Sequence, residues 1–163
     1  MHTYIRPTTI PDPFPGFDEM QFRGVLDVVA HAEQNLSIGL NTWPEVWHLD
    51  GEGRLTCAGP RSSCNTIKRW ARDPSDLFRV RRDRQVPACG DNWLIVDSRN
   101  VFYDPPIVDE GDIEAFVVLR RKLRTVGVHL VDAVVFDDSG HWWSLHELTT
   151  GTLTWDAIDM GDQ

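Results

Sequence analysis

Five carboxylates crowd one stretch of this chain, Asp97, Asp104, Asp109, Glu110 and Asp112, and Arg99 lies among them. Carboxylate oxygens at this density suit a hard cation such as Mg²⁺ or Ca²⁺. They equally suit a structural use, in which Asp109 and Glu110 open a helix and Arg99 pairs with Asp97 or Asp112. The structural use is the one expected. A guanidinium has only donors and a fixed positive charge, so Arg99 cannot ligate a cation and repels one.

The other reactive side chains are dispersed. His48, His129, His141 and His146 make no i, i+4 pair and no His-Glu-x-x-His word. His141 and His146 flank a strand, where a lone His usually packs or meets solvent. Ser62, Ser63 and Cys64 lack the glycines of a nucleophile elbow. The three cysteines, Cys57, Cys64 and Cys89, are odd in number and form no Cys-x-x-Cys pair. They read as buried or half-buried thiols, with neither a disulfide framework nor a structural zinc site. Trp142 and Trp143 are consecutive on a strand and so face opposite sides. One is expected in the core and the other at the surface as an interface anchor, with Trp43, Trp47 and Trp155 as further members of that surface.

Such residues need a scaffold, and 163 residues suffice for one domain with one core. The net charge of −9 counts against a partner bound through its phosphate backbone, so nucleic acid is not expected. Two basic clusters, Arg79 to Arg84 and Arg120 to Arg124, read as solvated helix faces. No apolar run approaches the roughly 20 residues of a membrane span. The first 15 residues carry Pro7, Pro11, Pro13 and Pro15 and no apolar block, so no targeting segment is expected. The expected location is the cytoplasm.

Periodicity supplies the elements. Residues 1–16 read as an extended Pro-rich arm, residues 17–148 as the domain, and residues 149–163 as an acidic tail. Phe17, Met20, Val25, Leu26, Val29 and Leu36 are spaced for a helix. Residues 45–58 form a hairpin around Asp50-Gly-Glu-Gly, whose glycines supply positive φ. A short strand is expected near residues 66–70. Asp73-Pro-Ser-Asp reads as a helix start, with the helix running to about Arg84. Asn92-Trp-Leu-Ile-Val suits a central strand buried on both faces. A long helix over 109–126 carries Ile113, Phe116, Leu119 and Leu123 on one stripe, with Gly127 at its C′ position. Residues 130–136 and 141–145 make a closing hairpin around Asp137-Asp-Ser-Gly. Mingled helices and strands give an α/β (α+β) class with a mixed sheet.

These words, in this order, resemble the RadC-type JAB/MPN domain. Val46-Trp-His-Leu-Asp-Gly-Glu-Gly-Arg-Leu is similar to its opening hairpin, and Asp73-Pro-Ser-Asp-Leu-Phe to a helix start. Trp93-Leu-Ile-Val is similar to the strand that delivers its metal ligands. Asp104-Pro105, Asp112, Leu119, Arg121 and Leu123 look like the segment that follows. Leu130-Val-Asp-Ala-Val-Val-Phe and Ser144-Leu145 are similar to its closing hairpin. The resemblance spans residues 18–147 and implies a cytidine-deaminase-like mixed sheet flanked by helices.

Active members of that family are zinc isopeptidases. Their motif is His-x-His, then Pro-Ser-Gly-Asp-Pro, then Ser-x-x-Asp, with a Glu on an earlier strand. Three ligands leave an open position for a water that the metal acidifies and the Glu deprotonates. By resemblance the His positions fall on Asp97 and Arg99, the Ser on Asp109 and the last ligand on Asp112. Phe102-Tyr103 replaces the Gly before Asp104, with one extra residue. The Glu would fall near Ala58 or Gly59, where no acid stands; Glu52 is in the preceding turn. The resemblance therefore implies the fold with a degenerate zinc motif and no cofactor. The expected role is a non-catalytic, pseudo-metalloprotease scaffold that binds a basic protein. Two alternatives stay open. One is a metal-dependent isopeptidase or peptidase using Asp97, Asp112 and His141 or His146. The other is an acidic inhibitor, of immunity or anti-restriction type, of a nucleic-acid-binding protein.

Overall fold

The computed structural model describes residues 22–35, 45–61, 67–75, 77, 92–99, 107–137 and 140–155, with the side chains of all but 31–35 and 56–61. Asp104, Trp43, Ser62, Ser63, Cys64, Cys89, the arm at 1–16, the cluster at 79–84 and the last eight residues lie outside them.

Among the described residues five strands form one mixed sheet in the order β2-β1-β3-β4-β5. They are β1 (Glu45–Leu49), β2 (Leu55–Arg61), β3 (Asn92–Arg99), β4 (His129–Asp137) and β5 (Trp142–Ser144). Among the described residues four helices accompany them: α1 (Val25–Asn35), α2 (Ile67–Arg72), α3 (Glu110–Arg124) and α4 (Leu145–Thr150). The class is mixed α/β, as the mingled periodicities indicate. No helix among the described residues is long and apolar enough to cross a membrane.

The β1–β2 hairpin forms as its turn residues require. Asp50 Oδ1 accepts from the Glu52 and Arg54 amides at 2.8 and 2.9 Å, and Gly53 adopts φ 82°. β3 lies between antiparallel β1 and parallel β4. Two parallel neighbours need a crossover, and α3 supplies it between β3 and β4. The β3 run is apolar because both of its faces are covered. Trp93 and Ile95 pack with Trp70, Phe116, Leu119 and Leu123 of α2 and α3. Leu94 and Val96 pack on the other face with Val25 and Val28 of α1.

Several expectations need correction. Residues 67–72 are helix α2, not a strand: Ile67, Trp70 and Ala71 are buried together, which is 3-4 spacing against α3. α1 begins at Val25, and Phe22 is tied instead to the hairpin, its amide donating to Gly53 O at 2.7 Å. α3 is capped at Thr125, which puts Gly127 one position beyond C′, where its φ of 81° still serves the turn into β4. The chain stays folded past 148. α4 runs to Thr150, Gly151 closes it with φ 80°, and Trp155 is buried.

The tryptophan surface is corrected as well. Trp142 and Trp143 do face opposite sides, but both sides are core: Trp142 packs with Val28 and Trp155, Trp143 with Phe116 and Leu145. Trp47 is buried against Phe22, ring centroids 5.2 Å apart. Helices on one face, and α1 with residues 153–155 on the other, leave none of these three as an exposed anchor.

Candidate functional site

The C-terminal end of β3 and the N-terminal end of α3 meet at the edge of the α2–α3 layer. Alternation along β3 puts Asp97 and Arg99 on the same face as Trp93 and Ile95. Asp109 caps α3, and Asp109 and Asp112 form a reciprocal capping box: the Asp112 amide donates to Asp109 Oδ1 and the Asp109 amide to Asp112 Oδ2, both at 3.0 Å. The capping box fixes the Asp112 carboxylate where it faces the strand end.

Arg99 fills the space between them. Its Nε donates to Asp97 Oδ2 at 2.7 Å. Its Nη1 donates to Asp112 Oδ2 at 2.9 Å and to the Ile107 carbonyl at 2.7 Å, and Nη2 donates to Asp112 Oδ1 at 3.0 Å. The pairing with Asp112 is bidentate, the strongest form of such a contact. Asp97 is 5% exposed and Asp112 2%. Asp97 Oδ1 is buried with no hydrogen-bond partner among the described residues.

Charge follows this geometry. Burial pushes the Asp97 carboxyl above its ordinary range, and the Arg99 charge only partly offsets it. Burial opposes the charge on Arg99 too, but the carboxylates of Asp97 and Asp112 outweigh it, and the guanidinium is held more firmly protonated than usual. Partial burial pushes Asp109 upward, but Lys68, whose Nζ donates to Oδ2 at 3.0 Å, and the hydrogen bonds with Asp112 together outweigh it, so its net shift is downward.

The arrangement can anchor the end of β3 to the start of α3. A guanidinium bonded to both carboxylates occupies the position a cation would need, and offers no lone pair. Glu110 opens α3 on its exposed side. Glu52 is exposed in the hairpin turn, paired with Arg54 at 3.2 Å. His141 is exposed and faces Asp137 at 3.1 Å. His146 is buried, with Nε2 2.9 Å from the Thr154 carbonyl and Nδ1 3.4 Å from Arg120. Because a carbonyl only accepts, the proton is on Nε2, and Nδ1 accepts from Arg120. Among the described residues no group of three His, Cys, Asp or Glu is arranged to hold a metal ion.

A second polar centre escaped the sequence reading. Asp132, fully buried, accepts from Ser144 Oγ at 2.7 Å, Trp155 Nε1 at 2.9 Å, and the Ala133 and His146 amides at 2.7 and 3.0 Å. Burial raises its carboxyl above the ordinary range despite these donors. The available signal was a carboxylate inside the apolar run Leu130-Val-Asp-Ala-Val-Val.

No protein-family model matches the chain, and no curated protein matches it.

Proposed function

We propose that this chain is a JAB/MPN-like domain of the RadC type in which a charge-paired anchor stands where a metal centre would be, and that it works by binding another protein. The observation that carries the reading is Arg99, hydrogen-bonded at once to Asp97 and Asp112. The residues assigned by resemblance to separate parts of one metal motif meet at one point. A positive guanidinium among them neutralises the carboxylates as a metal would, without a Lewis acid or an activated water. The element order also supports it: an opening hairpin, a central strand, a crossover helix and a closing hairpin. The acidic residues behind the net charge of −9 lie mostly outside residues 68–84 and 120–124 and favour a basic partner surface against the rest of the chain.

Metal analysis of the purified full chain tests this. Zinc well below one equivalent is expected, with a thermal midpoint unmoved by chelator. Stoichiometric zinc that disappears on Asp112→Ala overturns the reading.

A further inference from the structure

Positive charge in this acidic chain is gathered on two segments. Residues 68–84 and 120–124 hold eleven of the sixteen Lys and Arg, against three Asp and no Glu. The described part of these segments is a pair of packed helices. Lys68, at the start of α2, reaches the N-cap Asp109 of α3 at 3.0 Å. Lys122, in the last turn of α3, donates to the carbonyls of Ala71 and Arg72 at the end of α2. Starts meet starts and ends meet ends, so the helices run in the same general direction and their C-terminal ends lie together. Asp73, just past α2, confirms the grouping: its carboxyl is lowered first by hydrogen bonds from Ser75 and then by the charges of Arg69 and Lys122.

At this pole Arg72, Arg121, Lys122 and Arg124 are exposed. Among the described residues no carboxylate forms an ion pair with Arg72, Arg121 or Arg124. Val126 follows at 59% exposure, the one exposed large hydrophobic residue among those described. Cations at helix C-termini complement the helix dipole. That accounts for a residue or two per helix, whereas Arg72, Arg121, Lys122 and Arg124 stand exposed together here.

We propose that the joined C-terminal ends of α2 and α3 form a docking surface for an acidic segment of a partner protein, rich in Asp and Glu and carrying an apolar side chain that covers Val126. A short acidic peptide is favoured over nucleic acid on three grounds. The rest of the chain is strongly acidic and repels a long phosphate backbone, while a short segment stays within the basic pole. Phosphate is drawn to helix N-termini, and these are C-termini. An exposed Val at the patch suits a peptide side chain. This surface lies at the opposite end of α3 from Arg99 and does not depend on how the Asp97–Arg99–Asp112 cluster is read.

Fluorescence anisotropy of a short labelled peptide of Glu-Glu-Leu repeats, titrated with the full chain, tests the proposal. Binding is expected to weaken as salt rises from about 0.05 M to about 0.3 M, because the screening length shrinks. Arg121→Glu combined with Arg124→Glu, both at exposed positions, is expected to weaken it about tenfold or more. His141→Glu, exposed at the β4–β5 turn and at the other end of β4 from the patch, should leave it unchanged. Failure of the peptide to bind, equal loss in the two variants, or tighter binding of a single-stranded oligonucleotide of matched charge would each overturn it. Zinc found at Asp112 would overturn only the reading of the metal site.

Discussion

Arg99 is one cation set between two buried carboxylates, so its loss leaves two like charges without compensation. Breaking such a cluster by removing one partner typically costs about 3–5 kcal/mol, whereas replacing all its members by neutral groups costs far less. Arg99→Met is therefore expected to lower unfolding stability in urea by about that amount. Adding Asp97→Asn and Asp112→Asn should restore much of the loss. Asp97 carries the second consequence. Its carboxyl is raised in the folded chain, chiefly by burial. In the unfolded chain it titrates near about 3.9. Below that value it is neutral in both states. As pH rises from there through the raised folded value, folding must hold a proton or bury a charge, so stability falls. Asp97→Asn removes that dependence, and its stability relative to wild type should improve over this window in denaturation curves measured at a series of pH values. The pairing was legible because Asp97 and Arg99 share a strand face and Asp112 sits in the first turn of the next helix. The role of Asp132 was not, since it depends on Ser144 and Trp155 arriving from later in the chain.

Elements were readable where local chemistry and packing agree. α3 has acids at its start, Arg and Lys at its end, and one apolar stripe, and it lies within two residues of its expected span. The hairpin at Asp50 was fixed by its own turn. α2 was misread because it has only six residues, too few for the i, i+3, i+4 spacing of Ile67, Trp70 and Ala71 to repeat. That one turn of spacing becomes decisive only because Ile67, Trp70 and Ala71 pack into the same core as α3. The cap of α3 does more than end-satisfaction, since it also orients Asp112 toward Arg99. Asp109→Ala removes a cap usually worth about 0.5–2 kcal/mol, and with it the Lys68 contact. We expect a loss at the upper end of that range by thermal unfolding, and a smaller loss in a Lys68→Ala background, where the ion pair is already gone.

At the scale of the whole molecule, the sheet is covered on both faces, and this decides the fate of the tryptophans. Alternation shows which residues share a face, but not whether that face meets water or another layer. Trp47, Trp70, Trp93, Trp142, Trp143 and Trp155 are all buried. With Trp43→Phe, the remaining fluorescence should be blue-shifted and weakly quenched by acrylamide; strong quenching would contradict two covered faces.

Asp132 bears on where this unit can be cut. Its carboxylate takes a donor from β5 and another from Trp155, while His146 holds the Thr154 carbonyl. The residues after α4 are stitched into the sheet they follow. A fragment ending at Thr150 would strip a buried anion of its indole donor and open the face that Trp142 and Trp155 close together. The smallest self-sufficient piece of this chain therefore includes Trp155, and any fused sequence is best joined beyond it.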